Sequence, residues 1–171
     1  RVGPTGDPGE QAVVRHQARD LIDPRLFETG TGGDRGGVGD LTLDLLAVAQ
    51  WAQQARPDDQ FWLGGFSFGA WIALLGARHL PATQLITIAP PADRWDFSAA
   101  LPPTCPWLVI QGEADDIVSP QSVYDWLAKL DAKPTLVKMP DTGHFFHRRL
   151  MDLRGAIKNG VRRNLPPLLH V

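Results

Sequence analysis

Four short apolar runs constrain this chain more than anything else in it: Phe61–Gly64, Gln84–Ala89, Trp107–Gln111 and Thr135–Met139. Each has strand length and is nearly continuous in apolar residues rather than alternating, the pattern of a strand buried on both faces. Segments of helical character separate them. Leu41, Leu45, Val48 and Ala52, with Leu46 and Trp51 beside them, recur at helical spacing and stop before Pro57. Ala70–His79 is a second apolar helix-forming run. Ser119-Pro120 opens a third that reaches about Leu130, with serine as N-cap and proline at the first helical position. Phe145 to about Arg163 is predicted as the closing helix. Strands alternating with helices predict an α/β fold, a mainly parallel sheet with helices on both faces.

The first forty residues differ. Gly3–Gly9 and Gly30–Gly37 are rich in glycine and proline, and Gln11–Leu21 has little apolar face. The predicted organisation is therefore an irregular segment, 1–40, followed by one core domain, 41–171. A chain of 171 residues is long enough for one such domain. It opens on Arg1 rather than methionine, as a fragment would. A net charge of −2 provides no electrostatic drive toward nucleic acid or an acidic membrane surface. No stretch has the length of a membrane-spanning helix, and no secretory signal is visible. One cysteine, Cys105, excludes an intrachain disulfide, and a reducing cytoplasm is the default compartment.

Between the first strand and its helix lies Gly65-Phe66-Ser67-Phe68-Gly69. A G-x-S-x-G turn from strand to helix holds its serine in a strained conformation with the hydroxyl exposed. Gly65 and Gly69 are expected to be small because strand and helix crowd together there. The helix that follows points its free amides at any anion forming beside Ser67.

Reactive groups in open α/β sheets gather beyond the carboxyl ends of strands. Ser67 follows the first strand, the pair Asp115 and Asp116 follows the third, and His144 follows the fourth. A serine hydroxyl needs a base within hydrogen-bond reach, an imidazole can take its proton near neutral pH, and a carboxylate can hold the imidazole in the required tautomer. Each has a plainer alternative: a glycine-rich turn with an incidental serine, an aspartate in good turn chemistry, and a histidine that only begins a helix. His144 and His147 are close in sequence, but no third ligand accompanies them and no metal is expected. Trp95 and Phe97, in the loop from Pro91 to Pro103, would line a pocket or simply cover the sheet.

From about Leu41 to Val161 the chain resembles the α/β-hydrolase superfamily, and most of all its small, lidless, mainly bacterial members. The matching segments are Trp62–Ala70, Ile88–Pro91, Asp96–Ser98, Val109–Val118 and Gly143–His147. The resemblance implies a three-layer fold with its N-terminal strands reduced or absent. It implies Ser67 as nucleophile, Asp115 rather than Asp116 as the acid, His144 as base and the Phe68 amide as one oxyanion donor. Trp95, Phe97 and Phe66 would contact substrate. No cofactor is implied. Members of the family usually carry an earlier strand pair and a His-Pro or His-Gly segment that supplies a second oxyanion amide. Nothing before Ser67 matches it; His16-Gln17 does not, and Leu26–Glu28 is a poor substitute for the strand. An uncovered sheet edge beside the first strand would offer a route to a homo-oligomer.

Two functions compete. One is a serine hydrolase acting on small esters or thioesters through an acyl-enzyme. The other is a catalytically impaired or truncated hydrolase-fold module that binds without turnover, for want of half the oxyanion hole. A peptidase is a third, which nothing in the sequence selects.

Overall fold

The computed structural model describes residues 37–95, 97 and 103–165; for 37–40 only the backbone is described. The irregular segment expected over 1–40, including His16-Gln17 and Leu26–Glu28, therefore lies almost wholly outside the described residues. The chain divides into two units, one ending at Asp59 and one beginning at Gln60.

The described part of the first unit is helix α1, Gly37–Ala55, and the turn that follows it. It starts earlier than expected because two glycines, weak helix formers, mask its first turn in the sequence. Its buried residues are Thr42, Leu46 and Ala49, while Leu41 and Val48 are exposed. The buried stripe is thus displaced from the Leu41–Leu45–Val48–Ala52 series. Apolar residues occupy most of this helix's circumference, so spacing alone did not choose a face.

The second unit holds four strands: β1 (Trp62–Phe66), β2 (Gln84–Ile88), β3 (Trp107–Gly112) and β4 (Thr135–Met139). They lie in the order β1-β2-β3-β4 and every pairing is parallel. β1 extends to Phe66, past the expected end at Gly64, because Gly65 and Phe66 pair with Thr87 and Ile88. Parallel neighbours need crossovers. Helices α2 (Phe68–Gly76) and α3 (Pro120–Ala128) provide two of them, and α4 (Leu150–Val161) closes the unit.

Two apolar layers enclose the sheet. On one face, Leu108, Ile110 and Met139 pack with Val161, Leu153 and Ile157 of α4 and with Phe146. On the other, Trp107 meets Trp126 of α3 and donates its indole N–H to Thr87 across the strands at 2.9 Å. Trp71 of α2, Phe97 and Trp126 follow one another at 4.5 Å centroid spacings, the first pair tilted and the second edge-on. This unit has a three-layer α/β fold.

The closing helix starts at Leu150, five residues later than the sequence predicts. Phe146 and Arg148 have φ of 53° and 60°, in the left-handed region that ends a helix. Two turns, Phe146 N–H to Gly143 C=O and Arg149 N–H to Phe146 C=O, take its place.

Candidate active site

Ser67 stands between the last residue of β1 and the first of α2, with φ 51° and ψ −120°. For a residue with a Cβ this is a costly conformation, and the surroundings impose it. Its own N–H donates to Ile88 C=O at 2.8 Å, so the β1–β2 ladder continues into the turn. Its C=O accepts from the Ala70 N–H at 2.9 Å, so the helix has already begun. Strand and helix are then so close that a Cβ on Gly65 would lie 2.0 Å from Gly69 O. The same test on Gly69 meets nothing within 4 Å. The expectation that both glycines relieve crowding is therefore corrected: only Gly65 does, because the approach is of Gly65 to the backbone of Gly69, and Gly69's own Cβ direction opens away from it.

Asp115 lies beyond β3 and His144 beyond β4, and backbone hydrogen bonds join the two loops. Glu113 N–H donates to Met139 C=O at 2.9 Å, and Ala114 N–H to Thr142 C=O at 3.1 Å. The strand end must approach very closely; a Cβ on Gly112 would sit 2.2 Å from Thr142 O. Phe146, 2% exposed in the core with Leu108, Ile110 and Met139, anchors the second loop. Its role was not visible in the sequence, where it reads as one apolar residue of a helix.

The structure brings Ser67, His144 and Asp115 into one hydrogen-bonded line. Ser67 Oγ is 3.1 Å from His144 Nε2. His144 Nδ1 is 2.9 Å from Asp115 Oδ2, with the two side chains 3% and 0% exposed. Oδ1 of Asp115 accepts the amides of Ile117 at 2.9 Å and Val118 at 2.8 Å. Oδ2 also accepts Gln111 Nε2 at 3.0 Å. Its other hydrogen-bond partners among the described residues all donate, and a carboxylate can only accept. Nδ1 therefore carries the imidazole proton, and Nε2 is left with a lone pair facing the serine hydroxyl. Asp116, the competing carboxylate, is exposed and has no place in this line.

Phe68 is the first residue of α2, where a backbone N–H has no intrahelical acceptor. Around the line stand aromatic rings. Phe66, 40% exposed, lies 4.9 Å from the His144 ring, and Phe145, 58% exposed, lies 5.1 Å from it on edge. The sequence marks Phe145 only as the expected start of the closing helix, not as a site residue. Trp95 is exposed and its ring lies 5.3 Å from that of Phe68. Phe97 is corrected as a pocket residue. It is 3% exposed and clamped between Trp71 and Trp126, so it braces α2 against α3 instead. His79 lies past the end of α2, its ionisation depressed by burial and then by the Arg78 charge.

Among the described residues no cluster of three His, Cys, Asp or Glu side chains could hold a metal. No helix among them is long and apolar enough to cross a membrane. Among the described residues β1 pairs with β2 alone.

This parallel sheet, with Ser, Asp and His in that chain order at three strand ends, defines the class of α/β serine hydrolases. The chain belongs to that superfamily, within the group that lacks a lid. It is similar to XC6422 from Xanthomonas campestris, a lidless α/β serine hydrolase, at 46% identity over 96% of this chain and 78% of that one, with a TM-score of 0.75. A similar α/β serine hydrolase homologue from Coxiella burnetii matches at 28% identity over 89% and 76% of the two chains, with a TM-score of 0.69. The uncharacterized protein RP471 of Rickettsia prowazekii is 34% identical over 166 residues, 86% of this chain and 69% of that protein. No family model matches the sequence.

Proposed function

We propose that this hydrolase cleaves carboxylic esters or thioesters of small molecules by acyl transfer to Ser67. The observation that carries the reading is the unbroken line from Asp115 through His144 to Ser67, at 2.9 and 3.1 Å. His144 Nε2 takes the hydroxyl proton as Oγ attacks the carbonyl carbon. The tetrahedral oxyanion faces the Phe68 amide and the N-terminal end of α2. Collapse expels the alcohol or thiol, which leaves with the proton from Nε2, and water then releases the acid by the same steps in reverse roles. Asp115 keeps its charge and stabilises the imidazolium.

The general acid protonates the leaving group, so the rings against His144 belong to the leaving-group side. Phe66 and Phe145 are thus the walls for an apolar or flat alcohol or thiol. Trp95, tilted against the Phe68 ring, would then stand beside the residue whose amide meets the oxyanion. Cys105, whose thiol ionisation burial pushes up, is suited to remain a free thiol in a reducing cytoplasm.

The test is labelling with a fluorophosphonate probe, together with hydrolysis of short-chain p-nitrophenyl esters and thioesters. The native chain should label and turn over, and Ser67→Ala should lose both. A folded native chain that neither labels nor turns over any of them is a binding module. Labelling that survives Ser67→Ala removes Ser67 from the role of nucleophile.

A further inference from the structure

We infer that Gln111, the next-to-last residue of β3, is a positioning residue of this site, acting on the catalytic imidazole through Asp115. The inference rests on the acyl-transfer reading above. Gln111 is fully buried. Its Nε2 lies 3.0 Å from Asp115 Oδ2 and 3.2 Å from Gly112 O. Both neighbours are acceptors, so the amide orientation is determined by its surroundings: nitrogen toward the carboxylate, oxygen away. Oδ2 is also the oxygen that accepts His144 Nδ1.

The other end of the amide is unsatisfied. Gln111 Oε1 is buried with no hydrogen-bond partner in the structure. A buried carbonyl without a partner opposes folding. An apolar side chain of the same length would fill this site in β3 without that cost, as Val109 and Ile110 do beside it. Glutamine at this place contradicts the local packing rule, and such contradictions concentrate where function requires them. What glutamine offers and methionine does not is an N–H aimed at Oδ2. Two backbone amides hold Oδ1; among the described residues Gln111 is the one side chain besides His144 that holds Oδ2. It restrains the carboxylate's rotation in the plane that His144 must share, and it tempers the negative charge facing the imidazole.

Gln111→Met removes the donor and the orphaned oxygen together. The expected result is a kcat for p-nitrophenyl butyrate lowered about 10-fold, as for loss of one hydrogen bond to a charged group. KM should stay within twofold, because the residue touches no substrate, and Tm should be unchanged or higher. The acid limb of the rate profile should move to higher pH, since an untempered carboxylate favours the imidazolium. A merely structural residue would lower Tm and leave that limb in place. Should Gln111→Met not fold, Gln111→Glu serves. It keeps the shape and matches the native rate only at low pH, where the new carboxyl is protonated and can still donate to Asp115. A Met variant with native kcat and native pH profile, or a Glu variant with a native profile throughout, overturns the proposal. Native enzyme that fails to label at Ser67 overturns the acyl-transfer reading instead, and the two failures are distinct.

Discussion

The turn at Ser67 and the paired loops of Asp115 and His144 bring groups to one point by opposite means. The turn is local: five consecutive residues, a strained φ and one close approach of Gly65 to the next turn of helix. The loops are 29 residues apart at their hydrogen-bonded pair and are held by backbone bonds between β3 and β4 ends. Each region has one glycine that packing makes obligatory, Gly65 in the turn and Gly112 at the loops. The first is part of a contiguous motif. The second acquires its meaning only when Thr142 arrives against it. A motif in sequence therefore marks the local half of such a site and is silent about the assembled half.

The comparison can be broken most strongly at the carboxylates. Asp115→Asn should lower kcat about 10⁴-fold by favouring the wrong imidazole tautomer, while the adjacent Asp116→Asn should change it less than twofold. Steady-state kinetics on p-nitrophenyl butyrate decides; equal losses would mean that the loop does not select one acid. Next come the two obligatory glycines. Gly112→Ala should push the loops apart and cost about 100-fold in kcat, the effect of roughly an ångström of misplacement. Gly65→Ala should do comparable damage by distorting the turn. A crystal structure of either variant with Ser67, His144 and Asp115 unmoved would contradict this.

A smaller effect is expected at the rings. Phe145→Ala should raise KM about 10-fold for aryl esters and little for methyl esters, through loss of apolar contact with the leaving group. A change that instead followed the acyl chain would move Phe145 to the other side of the site. The smallest is Gly69→Ala. With open space at its Cβ, it should be neutral or raise stability by up to about 1 kcal/mol, the helix preference of alanine over glycine. Chemical denaturation would show it, and a large destabilisation would make the two glycines of the turn alike after all.

Much of the fold was legible. Continuous apolar runs marked β2, β3 and β4 to within a residue; β3 is buried along its whole length and β2 nearly so, as expected of strands covered on both faces, whereas the expectation fails for β4, where Thr135 and Lys138 are exposed. The N-cap Ser119 was readable because its bond to the Ser122 amide is local. Where apolar residues surrounded a helix, as in α1, the buried face was not readable. The start of α4 was misplaced for a related reason. Phe145 and Phe146 are apolar enough to extend a helix, yet one ring is drawn into the core and the other left beside His144. Phe97 illustrates the same difficulty, since an aromatic residue in a loop does not announce whether it faces substrate or a neighbouring helix.

What the amino-acid sequence determined by itself was the alternation of strand and helix, the strained turn at Ser67, and the order in which serine, acid and histidine leave their strands. These depend on backbone preferences and side-chain spacing within a few residues. Only the tertiary structure decided that Asp115 and not Asp116 meets His144, that Gln111 stands behind it with one unsatisfied oxygen, and that Gly112 rather than Gly69 is the second indispensable glycine. Those outcomes depend on hydrogen bonds and close approaches between segments far apart in the chain. Such contacts exist only after the parallel sheet has set its strand ends side by side.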